Sequence, residues 1–341
     1  MAKYDVLIVG GGASGIVAAI SAARAGKLTM ICEKNPRLGR KLLVSGSGRC
    51  NLANEDLSEA YYNHDAQALA KSIFAQFGKN EVKEFFDGLG LKLYSQNKRI
   101  FPVTNQAASV LKVLEMELKR LGVTVELGFE AVKITHSKNG FAVSSRGNRS
   151  FNSDNVVISV GGKAYPALGS DEGGYALAKQ LGHSIIEPVP SVVPLVIKDK
   201  ICHLLQGQKI SAKVWSVIDG KKNQEVEGDV LFTKYGLSGT AILDISQDIS
   251  LALNRQDKTE VFVCLDLVPF MEKKELENEL RKRINKNITD EDILVGILPN
   301  KFAPALKDLF AGKNIEKAAD ELKNKSFRVL ATRGWNETEF A

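Results

Sequence analysis

Residues 4–51 constrain this chain more than any other stretch. They read YDVLIVGGGASGIVAAISAARAGKLTMICEKNPRLGRKLLVSGSGRCN. Tyr4 to Val9 is a short apolar run with the β-branched residues of a buried parallel strand. Gly10, Gly12 and Gly15 follow with the spacing G-x-G-x-x-G. Ile16, Ala19, Ile20 and Ala23 then recur at helical spacing up to a capping Gly26. Leu28 to Cys32 forms a second strand that ends at Glu33, 18 residues past Gly15. Gly10 permits the tight turn, Gly12 lets a pyrophosphate approach the backbone, and Gly15 lets helix and strand pack closely. The first helical turn, with Ala13 and Ser14, offers N–H groups and a positive dipole end to phosphates. Glu33 is placed to accept hydrogen bonds from an adenosine ribose. Glycines are common turn residues, so the spacing alone says little. The strand before it, the helix after it and the acid beyond together mark a dinucleotide-binding βαβ unit.

The following segment, Asn35 to Asn51, is rich in Gly, Ser and basic side chains. Such a loop can supply backbone N–H groups and positive charge to a pyrophosphate or a ring carbonyl. GGGASG, then EKN, then LGRKLLVSGSGRCNLAN closely resembles a bacterial family of NAD(P)/FAD-dependent oxidoreductases, which includes bile-acid Δ4,6-reductase-like and aminoacetone-oxidase-like proteins. The resemblance implies an α/β fold with a Rossmann-type FAD-binding domain of the two-dinucleotide-binding-domain flavoprotein type. It also implies FAD as the held cofactor, wrapped by Lys34, Arg40, Lys41, Ser45, Gly46, Gly48, Arg49, Cys50 and Asn51. Further along, Val132 is expected to meet adenine through its backbone. Gly161 and Gly162, at the head of a G-G-x-x-x-P-x-x-G-S pattern, are expected to approach the cofactor from the other side.

The 341 residues suffice for two domains. The net charge of +6 (46 basic minus 40 acidic) contains no block of five like charges, which argues against a nucleic-acid partner. No apolar run approaches a membrane span, and Met1-Ala2-Lys3 leads straight into the first strand, so a cytoplasmic protein is expected. Cys32, Cys50, Cys202 and Cys264 form no C-x-x-C, which argues against a disulfide framework or a disulfide-reductase site. The four histidines show no ligand spacing, so no metal site is expected.

The pattern predicts helices at 66–77, 81–89, 107–121 and 174–181, a hairpin at 91–104, and strands at 123–127, 130–135, 141–145 and 155–160. Pro102 suggests an edge position for its strand. Arg99 reads equally as a solvated strand charge or as a contact near flavin or substrate. Prolines 188, 190 and 194 mark a boundary. Beyond it the alternation at 192–197, 209–218 and 225–232, with an Asp219-Gly220 turn, predicts antiparallel strands. The expected division is an FAD-binding domain of residues 1–193, with 327–341 as the start of its return. A substrate domain of 194–326 is inserted, β-rich over 194–269 and helical over 270–326. The helices are predicted at 272–285, 290–298, 300–310 and 315–323. Within the β-rich part LFTKYGLSGTAILDIS resembles the family's F-T-H-x-G-x-S-G-P-x-x-L, except that Lys234 replaces His and Thr240 replaces Pro. Lys234 could still donate a proton in place of that His, but its unperturbed pKa is far higher.

The leading expectation is an FAD-dependent oxidoreductase acting on a small organic molecule. With one dinucleotide fingerprint, NAD(P)H would visit transiently as electron donor, or oxygen would oxidise the flavin. No catalytic residue is assigned. The alternatives are a non-catalytic protein of the same fold and a Rossmann enzyme using NAD as substrate. The resemblance also implies a return segment with motifs of the type G-G-V, G-E-x-x-D and G-G-Y-N-x-Q. Residues 329–340 resemble only its start, so weak FAD binding and little turnover by this chain alone are expected.

Overall fold

The structure is a computed structural model that describes residues 3–340. The chain divides into two compact units, one of residues up to Gly162 plus Leu168–Ile185, the other of Lys163–Ala167 plus the residues from Ile186 onward.

The first unit opens with β1 (Lys3–Val9), α1 (Ala13–Arg24) and β2 (Thr29–Glu33). The strands pair in parallel, from Val6 opposite Thr29 to Val9 opposite Cys32. Then come α2 (Arg40–Val44), β3 (Ala53–Asn54), α3 (His64–Phe74), α4 (Lys79–Gly88), β4 (Leu93–Gln96), β5 (Arg99–Pro102) and α5 (Ala107–Arg120). β6 (Thr124–Leu127), β7 (Ala131–Ser137), β8 (Gly140–Ser145), β9 (Ser150–Ile158) and α6 (Gly173–Gln180) complete it. The main sheet has the order β6-β2-β1-β9-β8-β7. Its first four strands are parallel, and β7–β8 is an antiparallel hairpin. Successive residues of a strand face opposite sides. Ile8 and Ile31 therefore pack with Ile16, Ala19 and Ile20 of α1 and with Val110 and Leu114 of α5, while Leu7, Val9, Met30 and Cys32 pack with Phe129, Ile134, Val143 and Leu177.

Two glycines set how tightly this unit closes. A Cβ on Gly15 would stand 1.9 Å from the Gly10 carbonyl oxygen, and Gly10, at φ +107°, would drive one into the Ser159 backbone at 2.6 Å. A charged pin joins α1 to α5. The buried Glu117 carboxylate accepts from Arg120 Nε at 2.6 Å and from Arg24 Nε at 2.9 Å. The Arg120 hydrogen bond, reinforced by Arg24 against the penalty of burial, holds the Glu117 carboxyl at a pKa of about 2.

Two expectations change here. The basic loop at 35–51 contains α2 and, at Ser45–Gly48, a tight turn with Gly46 and Ser47 at left-handed φ. Pro102 does not mark an edge, because β5 is the middle strand of the small sheet β3-β5-β4. β3 is only two residues long and pairs with Ile100 and Arg99, so it never reaches the proline, whose missing N–H costs no ladder bond.

The second unit contains β10 (Leu195–Val196), α7 (Lys200–Leu204), β11 (Lys209–Ile218), β12 (Lys221–Thr233), β13 (Gly236–Ser238), α8 (Thr240–Asn254) and β14 (Val261–Asp266). α9 (Lys273–Asn285), α10 (Phe302–Leu306), α11 (Ile315–Lys323), β15 (Lys325–Arg328) and β16 (Ala331–Thr332) follow. Asp219 and Gly220 turn β11 into β12 with φ of +49° and +78°, as a tight hairpin requires. The sheet order is β15-β14-β11-β12-β13-β10-β16. β15 and β16 stand at opposite ends of that order, yet Arg328 and Ala331 are three residues apart, a reach of about 10 Å. The sheet therefore curls until its ends meet. Val329 N–H donates to Val261 and Leu330 N–H to Val196, both at 2.9 Å, as one extended stretch passes from β14 to β10.

The segment 327–341 was expected to return to the nucleotide domain. Its described part, 327–340, lies in the second unit instead, because Phe327 and Val329, each 2 % exposed, belong to that unit's core. Residues 186–193 belong there too. Residues 290–298, expected as a helix, form turns around Gly296 at φ +81°. Only Leu195–Val196 of the strand expected at 192–197 forms, and Val192 sits at φ +52°. α8 was not foreseen. It buries Ala241, Ile242, Ile245, Ile249 and Ala252 at helical spacing. Thr240 starts it where the related motif has Pro, and its hydroxyl accepts from Asp229 N–H at 3.1 Å. Among the described residues no helix is long and apolar enough to cross a membrane.

Candidate functional site

In the first unit, at the ends of β1, β2 and β9, lies a cavity of about 390 Å³. The glycine loop Gly10–Ser14 forms one wall. Cys32–Asn35, Arg37, Gly39–Leu42, Phe129–Ala131, Ser159–Gly161 and Leu168–Asp171 line the rest. Such a crevice, beyond the carboxyl ends of parallel strands, is where open α/β sheets bind ligands.

The loop is held from several sides. Gly10 N–H donates to the Cys32 carbonyl at 2.8 Å, and Gly39 N–H to the Gly11 carbonyl at 2.9 Å. Ser159 Oγ donates at 3.0 Å toward the carbonyls of Val9 and Gly10. Glu33 is 7 % exposed. Its Oε2 accepts from Gly11 N–H at 2.6 Å, and its Oε1 from the backbone N–H of Asn35 at 2.8 Å and from Asn35 Nδ2 at 2.6 Å. Asn35 Oδ1 in turn accepts from Arg40 at 2.8 Å. The acid read as a ribose ligand is thus also the brace of the glycine loop.

Above the loop there is room and positive charge. A Cβ on Gly12 would meet nothing within 4 Å. The first turn of α1 has no side-chain cap and no acidic residue, so its N–H groups face the cavity uncompensated. Lys34, Arg37, Arg40 and Lys41 line the same space. Burial, and then repulsion from Lys34, lower the pKa of the Lys41 ammonium. An anion there would relieve both. Cys32 is inert by contrast, since burial and then Glu126 push its thiol up to about 12.

Of the residues singled out in the sequence, Gly10, Gly12, Ala13, Ser14, Glu33, Lys34, Arg40, Lys41 and Gly161 line this cavity. Gly15 lies beneath it. Ser45, Gly46, Gly48, Arg49, Cys50, Asn51, Val132 and Gly162 are not among its lining residues. The Ser45–Asn51 stretch is a contorted turn with Gly46, Ser47, Gly48 and Cys50 all at positive φ. Cys50 is 4 % exposed, and burial raises its thiol pKa. The Arg49 guanidinium lies 4.5 Å from the centre of the Phe101 ring. Gln180 takes the Val132 carbonyl at 3.0 Å, and the cavity touches Phe129–Ala131 instead. Arg99 and Lys234 are exposed and outside the cavity. Asn35, Arg37, Phe129–Ala131 and Leu168–Asp171 were not singled out. Only Gly169 and Ser170 had a signal, as the last two residues of the pattern that begins at Gly161.

Residues 4–334 match the HI0933-like protein Rossmann domain family. The chain belongs to that family. The HI0933-like family consists of flavoprotein oxidoreductases, and the cofactor is FAD. The chain is 38 % identical over 306 residues to a 3-dehydro-bile acid delta(4,6)-reductase of Clostridium scindens, covering 89 % of this chain and 74 % of that one. It is 26 % identical over 309 residues to a ribosomal RNA dihydrouridine synthase of Escherichia coli, covering 91 % and 74 %. A protein of the same name from Haemophilus influenzae is 27 % identical over 307 residues, covering 88 % and 73 %. The donor set of the cavity suits FAD. Open space over Gly12, an uncapped helix start and a cluster of cations are what a dinucleotide diphosphate requires.

Proposed function

We propose that this HI0933-like protein reduces a carbon–carbon double bond conjugated to a carbonyl in a small organic molecule, with FAD in the cavity at the glycine loop and NAD(P)H as a transient electron donor. The observation that carries this reading is a shared chemistry in the relatives' names. A delta(4,6)-reductase of a 3-oxo bile acid and a synthase of dihydrouridine both saturate a C=C bond activated by a carbonyl. The net change is addition of a hydride and a proton.

Bound FAD supplies the hydride transfer, and the protein supplies binding, orientation and electrostatics. In this reading the α1 N-terminus, Gly12, Ala13 and Ser14 hold the diphosphate, and Arg40 and Lys41 balance its charge. Glu33 keeps the loop in shape and faces the ribose. Gly161, at φ +79°, brings the end of β9 against the cofactor without a side chain between them. Ser45–Asn51 and Val132 remain candidates for the parts of FAD that extend beyond the cavity.

The test is anaerobic. The purified protein is reduced with NADPH or NADH and mixed with a conjugated enone, such as a 3-oxo-Δ4 steroid. Rapid return of the oxidised flavin spectrum with a saturated product is expected. A reduced flavin that only oxygen reoxidises would overturn the reading. A second substrate class is favoured by the names of the two synthase relatives, namely uridine within ribosomal RNA. The same assay with an rRNA transcript, scored for dihydrouridine, decides between them.

A further inference from the structure

The turn between β8 and β9 grips the segment that leads into the cavity wall Phe129–Ala131. Arg149, at the end of that turn, pairs with the Glu126 carboxylate, donates to the Gly128 carbonyl and sets its guanidinium 5.3 Å from the centre of the Phe129 ring. Arg146, at its start, donates its backbone N–H to the Glu130 carbonyl at 3.0 Å and pairs with the Glu130 carboxylate at 3.1 Å. The turn itself is fixed. Ser145 N–H donates to the Arg149 carbonyl at 2.8 Å, and Arg149 N–H to Ser145 Oγ at 3.1 Å. The gripped segment lies along the end of β2, since Gly128 N–H donates to the Asn35 carbonyl at 3.4 Å and Phe129 N–H to the Glu33 carbonyl at 2.9 Å. The Phe129 side chain is buried, and Glu130 and Ala131, both half-buried, present the wall to the cavity. Beyond the effect of burial, Glu126 raises the pKa of the Cys32 thiol and Arg149 lowers it, so both charges act on a residue that lines the cavity.

We propose that Arg149 is a positioning residue for the adenosine portion of the dinucleotide, acting through the wall 128–131. The place of the wall decides which portion. The wall is bonded to the backbone of Glu33 and Asn35, and the ribose and base lie at that end of a βαβ unit, with the diphosphate at the glycine loop. One planar guanidinium joins a carboxylate, a carbonyl and a ring within residues 126–129, a fork that a lysine ammonium does not reproduce. Without it the Glu126 carboxylate stands uncompensated near a site for an anionic ligand, and the Gly128 carbonyl loses a donor. The wall then loosens where the nucleoside rests against it. Arg149 is 45 % exposed, so its effect passes through the order of the wall rather than through a large charge energy. The proposal rests on the FAD reading above.

The experiment measures binding of FAD, ADP and inorganic pyrophosphate to the flavin-free protein by calorimetry, with amide hydrogen exchange alongside. Arg149→Ala is expected to weaken FAD and ADP equally, by about three- to tenfold, the scale of one hydrogen bond. Pyrophosphate, which lacks a nucleoside, should bind as before. Exchange should quicken at Gly128 and Phe129 and stay unchanged along β1 and α1. Arg149→Lys keeps a cation beside Glu126, guards against misfolding of the alanine variant, and should show the same pattern at smaller amplitude. Unchanged ADP affinity in both variants overturns the assignment, whether or not exchange quickens. So does an equal loss for ADP and pyrophosphate, since that marks a disturbed loop rather than a nucleoside effect. A loss for ADP without faster exchange overturns it too, because Arg149 would then not act through the wall. Failure of the unaltered protein to bind either FAD or ADP would instead bring down the FAD reading, and this proposal with it.

Discussion

Glu33→Ala separates two roles that one carboxylate combines. The side chain accepts three hydrogen bonds, from Gly11 N–H and from both nitrogens of Asn35, and it faces the cavity. Removing it leaves the Gly11 N–H without an acceptor and frees Asn35, which positions Arg40. A hydrogen bond to a charged group contributes about 1.5–3 kcal/mol, but water from the open cavity will replace part of what is lost. The loss of FAD affinity should therefore be about 1–3 kcal/mol, or roughly 5- to 150-fold. Loosening of the loop alone would give a similar figure, so the decisive comparison uses ADP and 2′-deoxy-ADP as ligands. The unaltered protein should prefer ADP by about 1–2 kcal/mol, and Glu33→Ala should abolish that preference while weakening both ligands. If the variant keeps the full preference, the carboxylate does not touch the ribose, and its place in the motif reflects the brace alone.

Gly12→Val should fold normally and lose FAD, since its side chain enters space free of protein atoms. An unshifted melting temperature with no yellow colour is the expected pair of results. Gly15→Ala should do the opposite and destabilise the fold by about 1–3 kcal/mol or more, because its Cβ would collide with the Gly10 carbonyl; a urea midpoint equal to the parent's would contradict this. Glu117 titrates at about 2 in the folded chain against 4.5 when unperturbed, so its pin is fully present above pH 4.5 and fades as pH falls toward 2. Arg24 and Arg120 are 39 % and 66 % exposed, and solvent screening limits the contribution to about 1–2 kcal/mol. The stability gap between Glu117→Gln and its parent should close over that pH window, and a gap constant from pH 6 to 3 would refute the assignment.

The glycine loop was legible because its tightest requirement is local. Gly15 is fixed by the Gly10 carbonyl within one βαβ unit, although Gly10 itself abuts the distant Ser159 backbone. The brace on Gly11 was not legible, since it joins residues 22 apart through a carboxylate whose motif role is read differently. Neither was the hydrogen bond that Gln180, far along the chain, gives to the Val132 carbonyl. α8 was missed because its first residues were read only as a family motif within a β-rich part, although Ile242, Ile245 and Ile249 carry a helical period. Residues 325–328, which overlap the start of the expected return, form the strand β15. Alternation reveals a strand but not its sheet, and packing of Phe327 and Val329 decided that.

The curled sheet of the second unit owes both its margins to eight consecutive residues, 325–332, which pair on one side with β14 and on the other with β10. Leu330, 51 % exposed, sits where the chain changes partners. A protease that cut there would leave β16 held by a two-residue ladder and β15 by four, and their loss would bare β14 and β10 together. Unpaired strands of this kind recruit strands from other molecules. One severed peptide bond would thus turn a self-contained ring into a seed for polymerisation, and resistance of that bond to digestion reports on the integrity of the whole ring.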